Sequence, residues 1–92
     1  MALGDSYTIG ESVDSLNRYP NQFVSLLEQR NILVDNPLII AKTGWTTDEL
    51  KKEILSHNIK YKFDLVSLLI GVNNQYRGRS SLNFKEEFEE LL

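Results

Sequence analysis

Three mainly apolar runs divide the chain, the third of them interrupted by Asp64 and Ser67. Nearly continuous apolar runs, unlike alternating ones, are typical of parallel strands that are covered on both faces of a sheet. The first run is short, but it leads directly into a glycine, as a strand does when it ends in a sharp turn. The predicted strands are residues 1–4, 37–41 and 63–70.

Apolar residues at helical spacing occupy the intervals between these runs. Pro20 suits the first turn of a helix that starts at Tyr19 and ends near Asn31. Thr46 to Glu49 match a capping box, with Trp45 and Leu50 as a hydrophobic staple, so the next helix should continue to about His57. A last helix is expected from Asn83. The residues predicted to face inward on these last two helices are Leu50, Ile54, Leu55, Phe84, Phe88, Leu91 and Leu92.

Strands that alternate with helices predict an α/β fold with a parallel sheet. The simplest arrangement is a flavodoxin-like three-layer α/β/α fold with strand order 2-1-3 and right-handed crossovers. Every loop from a strand to a helix then opens at the same edge of the sheet, where ligands bind in such folds. Ser6, Gly44 and Asn73 lie in these three loops.

Composition and charge limit the classes of protein to which this chain can belong. The chain has 92 residues, 41% hydrophobic, which fits one small globular domain. A net charge of −3 without a basic stripe argues against a nucleic-acid partner. There is no cysteine, and no apolar run reaches the length of a membrane span. No signal peptide precedes the first strand in the chain as given, which favours the cytoplasm and leaves the compartment open.

The candidate chemistry begins at Gly4-Asp5-Ser6. Turn chemistry alone explains these three residues, since all of them favour turns. Turn or backbone-bonding roles are equally available to Gly44 and Asn73. Together with Gly44 and Gly71-Val72-Asn73-Asn74, however, the stretch resembles the N-terminal part of a GDSL-type esterase/lipase of the SGNH hydrolase family. The matching pieces occur in the family's order and in the expected loops.

The resemblance implies a serine ester hydrolase that acts on a small-molecule ester or acylated substrate and needs no cofactor or metal. Ser6 matches the nucleophile. The N–H groups of Ser6 and Gly44 and the side-chain amide of Asn73 match the oxyanion hole, which stabilises charge developing on the substrate. The residues that match the supporting positions of the motifs are Gly4, Asp5, Gly71 and Asn74.

The chain departs from the family pattern in three places. The family's Asp-x-x-His is absent, because the only histidine is His57, which is expected at a helix end on the surface. Asn74 replaces the usual aspartate, and Tyr7 replaces the usual leucine. Residues 1–92 are therefore expected to be the N-terminal portion of a single SGNH-hydrolase domain, truncated before the later strands and inactive alone.

Three further expectations remain. Self-association through strand 3, which would be an uncovered edge, or through the last helix is expected, with poor solubility as the alternative outcome. Arg77 and Arg79 are interpreted as a solvated loop rather than as an anion site. The alternative to a hydrolase is a non-catalytic flavodoxin-like binding module, because this fold hosts many functions.

Overall fold

The computed structural model describes residues 1–92 and contains three strands and five helices. A 3₁₀ turn at Ser15–Asn17 precedes the second helix. The elements are β1 (Ala2–Gly4), α1 (Ser6–Ile9), α2 (Tyr19–Gln29), β2 (Ile39–Ala41), α3 (Thr47–Ser56), β3 (Ser67–Leu69), α4 (Val72–Tyr76) and α5 (Ser81–Leu91). None of the helices combines the length and hydrophobicity needed to cross a membrane.

The three strands form one parallel sheet in the order β2-β1-β3, which confirms the predicted order. Gly4 at the end of β1 lies opposite Ala41 on one side and Leu69 on the other. All three strands therefore end at the same level. The first crossover leaves β1 in one direction and the second returns in the other, so right-handed connections put α2 and α3 on opposite faces.

The two outer strands are shorter than predicted. β2 starts at Ile39 instead of residue 37, and β3 covers only Ser67–Leu69 instead of 63–70. The reason is that the central strand offers only three residues, so each neighbour has three positions to pair with. The apolar residues before β3 gain no strand partner, and Leu65 remains 57% exposed.

The helices differ from prediction mainly at their ends. α5 begins at Ser81 rather than Asn83, because Ser80 is its N-cap and accepts a hydrogen bond from the Asn83 N–H at 3.4 Å. The short helices α1 and α4 were predicted as loops. The capping box of α3 is confirmed, with Glu49 accepting from the Thr46 N–H at 3.1 Å.

The core is small and lies between the sheet and α3. Leu3, Ile40 and Leu50 form its centre, and Trp45, Ile54 and Leu91 pack against it. The prediction that Leu55 and Leu92 face inward is wrong, because these residues are 70% and 83% exposed. Only 11 of the 92 residues are buried, so much apolar surface remains uncovered.

Candidate active site

The turn after β1 is built around a glycine and a buried carboxylate. A Cβ on Gly4 would collide with the Thr8 side chain and with the Leu69 carbonyl of the neighbouring strand. Asp5 is 1% exposed, and its Oδ1 accepts a hydrogen bond from the Tyr7 N–H at 3.0 Å. The carboxylate thus serves as the N-cap of α1, where it satisfies an N–H that has no partner within the helix. Ser6 follows as the first helical residue and is half-buried.

Gly44 lies in the loop between β2 and α3 and has a φ of 87°, a conformation that strains any residue with a side chain. Its carbonyl accepts a hydrogen bond from Arg77 Nη2 at 2.6 Å. The preceding hydroxyl, of Thr43, donates to Glu11 Oε2 at 2.9 Å. The Gly44 N–H is not used by any hydrogen bond within the fold.

Asn73 lies in α4 and contacts the same loop. Its Nδ2 donates to the Trp45 carbonyl at 2.9 Å, one residue after Gly44. A side-chain amide carries two N–H groups, so one remains available after this bond. The structure therefore brings Asn73 and the Gly44 loop together.

Asn74 points elsewhere and joins three elements. It is 3% exposed, its Oδ1 accepts from the Thr47 N–H at 3.1 Å, and its Nδ2 donates to Thr47 Oγ1 at 2.7 Å. The Thr47 hydroxyl in turn donates to Glu87 on α5. Asn74 therefore fastens α4 to the start of α3, using both the acceptor and the donor of its amide.

Gly71 allows α4 and α5 to approach each other. Its φ is 134°, and a Cβ there would lie 2.8 Å from the Phe84 ring. A pocket of about 300 Å³ opens beside the motif turn, between α1 and the end of β3. The residues that line it are Asp5, Tyr7, Leu69, Ile70 and Val72.

Arg77 and Arg79 lie in an exposed segment, as the interpretation of a solvated loop has it, but both side chains also bind carboxylates. Arg77 Nη1 donates to Glu49 Oε1 at 2.8 Å, and Arg79 pairs with Asp48. The Arg77 guanidinium holds the pKa of Glu49 below its ordinary value. For Asp48 the Thr46 hydroxyl is the main cause of the lowered pKa, and Arg79 adds to it.

His57 lies far from these loops. Helix α3 starts beside Asn74 and has ten residues, which at 1.5 Å per residue places its end roughly 15 Å away. His57 is the exposed C-cap of that helix, with Nδ1 2.9 Å from the Glu53 carbonyl. The expectation that it is a surface residue at a helix end is confirmed. No three His, Asp or Glu side chains are grouped as a metal ion would require.

Of the residues predicted for the site, Gly44 and Asn73 share a loop contact, while Ser6 follows the middle strand at the same edge of the sheet. The convergence of their donors on the Ser6 hydroxyl stays a prediction. Asn74 and Gly71 have structural contacts instead. Sequence reasoning missed the Arg77 contacts, because its partners Glu49 and Gly44 lie 28 and 33 residues away and no local pattern links them.

Comparisons with known proteins bear on the fold and the family. The crystal structure of AlinE4, an SGNH-hydrolase family esterase, matches with a TM-score of 0.75 and 25% identity. Two AlinE4 mutants match with TM-scores of 0.74 and 0.75 and identities of 25% and 24%. The match covers 95% of this chain and 47% of AlinE4, so the chain spans about half the length of that esterase.

A search of curated proteins found no match. The model of the GDSL-like lipase/acylhydrolase family, in contrast, matches residues 2–92, nearly the whole chain. The chain therefore belongs to the GDSL-like lipase/acylhydrolase family.

Proposed function

We propose that residues 1–92 are the N-terminal portion of a single SGNH-hydrolase domain that hydrolyses carboxylic esters, with Ser6 as the nucleophile. The substrate class is a small-molecule ester or another acylated molecule. The observation that carries the proposal is the arrangement of three loops at one sheet edge, with Ser6, Gly44 and Asn73 each following a parallel strand. Membership in the GDSL-like lipase/acylhydrolase family also supports the proposal of ester hydrolysis.

The proposed chemistry is acyl transfer. Ser6 Oγ attacks the carbonyl carbon of the ester, and the carbonyl oxygen becomes an oxyanion. The N–H groups of Ser6 and Gly44 and the free N–H of Asn73 Nδ2 would donate to that oxyanion. All three donors are neutral, so their donation does not depend on pH near neutrality. A general base takes the Ser6 proton during the attack and gives it to the leaving oxygen as the intermediate collapses and the alcohol departs. Water then adds to the acyl carbon, which releases the acid and returns the proton to Ser6 Oγ.

A serine hydroxyl needs a general base to become a good nucleophile. His57 does not meet this need, because it lies at the far end of α3 and contacts the Glu53 carbonyl. We propose that the base is the family's Asp-x-x-His, supplied by sequence beyond residue 92. The supporting fact is that the chain spans 47% of AlinE4.

The test is a fluorophosphonate probe, which forms a bond to an activated serine as fluoride leaves. It should label Ser6 in the parent protein, meaning the longer protein that contains residues 1–92. Ser6→Ala should abolish both the label and the hydrolysis of p-nitrophenyl acetate. Ser12→Ala is the matched control, since Ser12 is an exposed serine six residues further along the chain. Labelling that persists in Ser6→Ala, or fails in the parent protein, would favour a non-catalytic binding module.

The 92-residue chain alone should be a very poor esterase. Without a base, only positioning and oxyanion stabilisation remain, which in well-studied serine hydrolases leaves roughly a thousandfold over water. The measurement is p-nitrophenyl acetate turnover by purified 1–92 beside its Ser6→Ala variant. A rate typical of enzymes that disappears in Ser6→Ala would show that the base lies within these residues.

A further inference from the structure

The Gly44 backbone is held by its own turn, which the Trp45 N–H closes on the Lys42 carbonyl at 3.2 Å, and also by side chains from outside that turn. Glycine has the widest conformational freedom of any residue, so the direction of its N–H is not fixed by the residue itself. Arg77 Nη2 donates to the Gly44 carbonyl at 2.6 Å, and Glu11 accepts from the neighbouring Thr43 hydroxyl at 2.9 Å. Between these two contacts the Gly44 N–H carries no bond of its own within the fold.

Arg77 is itself fixed in direction. Its two terminal nitrogens donate to the two oxygens of Glu49, at 2.8 Å and 3.4 Å. Glu49 also accepts from the Thr46 N–H at 3.1 Å, and α3 is anchored by the fully buried Leu50. A planar guanidinium with a fixed fork of donors can bridge a carboxylate and a carbonyl in this way, whereas a lysine ammonium is a point charge.

We propose that Arg77 is a positioning residue for ester hydrolysis: by holding the Gly44 carbonyl it fixes the Gly44–Trp45 peptide and restricts the two Gly44 backbone torsions, so that the N–H of the preceding peptide keeps the direction needed to donate to the oxyanion. This inference rests on the proposed function, in which Gly44 is an oxyanion-hole donor. Oxyanion stabilisation depends on donors that are already oriented before the reaction, so a mobile Gly44 would lose part of it. Arg77 reaches the reaction only through Gly44.

Arg79 is the matched control. Like Arg77, it pairs with a carboxylate in the first turn of α3, here Asp48. The two arginine side chains are similarly exposed, at 40% for Arg77 and 35% for Arg79. Only Arg77 also donates to Gly44. A difference between Arg77→Met and Arg79→Met therefore reports on the Gly44 contact rather than on loss of a surface ion pair.

The first experiment is ¹⁵N relaxation of the Gly44 N–H in the labelled longer protein that contains residues 1–92. The order parameter should be about 0.85 in the unmodified protein and in Arg79→Met, and lower in Arg77→Met, where only the turn bond from the Trp45 N–H to the Lys42 carbonyl still holds this peptide. If Arg77→Met loses amide dispersion throughout, Glu49→Gln replaces it, because it keeps the arginine but removes the charge that orients it. An unchanged Gly44 order parameter in the folded variant, or an equal drop in Arg79→Met, would overturn the proposal.

The second experiment measures kcat and KM of the parent enzyme on p-nitrophenyl acetate. Arg77→Met should lower kcat by about tenfold to a hundredfold, less than deletion of a whole oxyanion donor, with KM changed by less than about twofold. Arg79→Met should leave both constants unchanged. A rise in KM at constant kcat would contradict a role in oxyanion stabilisation.

The two proposals fail separately. If Gly44 loses order only in Arg77→Met but Ser6 is not labelled by the fluorophosphonate, the contact is real and the hydrolase proposal is wrong. If Ser6 is labelled and Gly44 stays ordered in Arg77→Met, the hydrolase proposal stands and Arg77 has no positioning role.

Discussion

At the scale of single residues, Asn74 shows why an amide fits where the family usually has a carboxylate. Its Nδ2 donates to Thr47 Oγ1 at 2.7 Å, and the only hydrogen of that hydroxyl is donated to Glu87. An aspartate at position 74 would keep the acceptor for the Thr47 N–H but bring a second carboxylate to a hydroxyl with one hydrogen. An amide therefore fits this position, because it can donate to a hydroxyl that already donates to Glu87.

We expect Asn74→Asp to lower the free energy of unfolding by about 1–3 kcal/mol, the cost of leaving a buried polar group without its partner. Urea unfolding of the purified chain measures the change. In the double variant with Glu87→Gln, the new amide can donate to the Thr47 hydroxyl and free its hydrogen for the new carboxylate. Most of the stability should then return. An Asn74→Asp chain as stable as the original would contradict this account.

Several site residues could be identified from sequence because their chemistry is local. Ser6, Gly44 and Asn73 each follow an apolar run that ends in a loop, and the strand order places those loops together. The contacts of Asn74 and Arg77 could not be identified in this way. They join residues that lie 27 to 33 positions apart, and side-chain direction there is decided by how α3 and α4 pack.

At the scale of the elements, the first turn of α3 carries two carboxyl groups, Asp48 and Glu49, whose protonation affects the free energy of unfolding. Arg77 lowers the pKa of Glu49, and the Thr46 hydroxyl with Arg79 lowers that of Asp48. A carboxyl whose pKa is lowered by folding stabilises the fold above its unfolded-state pKa, and loses this contribution as pH falls through the folded-state value.

We therefore expect the free energy of unfolding to fall as pH drops below the ordinary values of 4.5 for Glu49 and 3.8 for Asp48. The loss should be small, because the two side chains are 35% and 49% exposed and solvent screens them. Chemical denaturation from pH 6 to pH 3 measures it, as this window spans both ordinary values. The Arg77→Met/Arg79→Met double variant should show a flatter profile, and an identical profile would rule out these ion pairs as the cause.

Element boundaries were harder to predict than element order. The apolar run at 63–70 reads as one long buried strand, yet pairing stops after three residues because β1 offers no more. The helices α1 and α4 have four and five residues, too few to show an apolar period. The capping box of α3, in contrast, is a local signal and was located correctly.

At the scale of the whole molecule, an apolar edge remains uncovered. β3 has a partner on one side only, and Leu65, Val66 and Leu69 are 57%, 46% and 50% exposed. On α2, Phe23 and Leu26 are 43% and 56% exposed as well. An edge strand of this kind without proline or charge is a template for pairing with another chain.

We expect the isolated chain to form dimers or larger species at micromolar concentration, through the β3 edge. Sedimentation velocity measures the size. Leu69→Lys should shift the population toward monomer, since a lysine on an edge strand opposes pairing. Leu33→Lys is the control, because Leu33 is 99% exposed in the loop after α2 and lies in no strand. A cooperative monomer at these concentrations would remove the argument for association.

The position of β1 has a consequence for biosynthesis. The strand at the centre of the sheet is synthesised before both of its partners, and it bonds to Ile39–Ala41 on one side and to Ser67–Leu69 on the other. Leu3 therefore has a paired strand on both sides only after more than two thirds of these residues have been synthesised. The sheet is completed from its oldest strand outward, and α3 is synthesised before the second pairing can close.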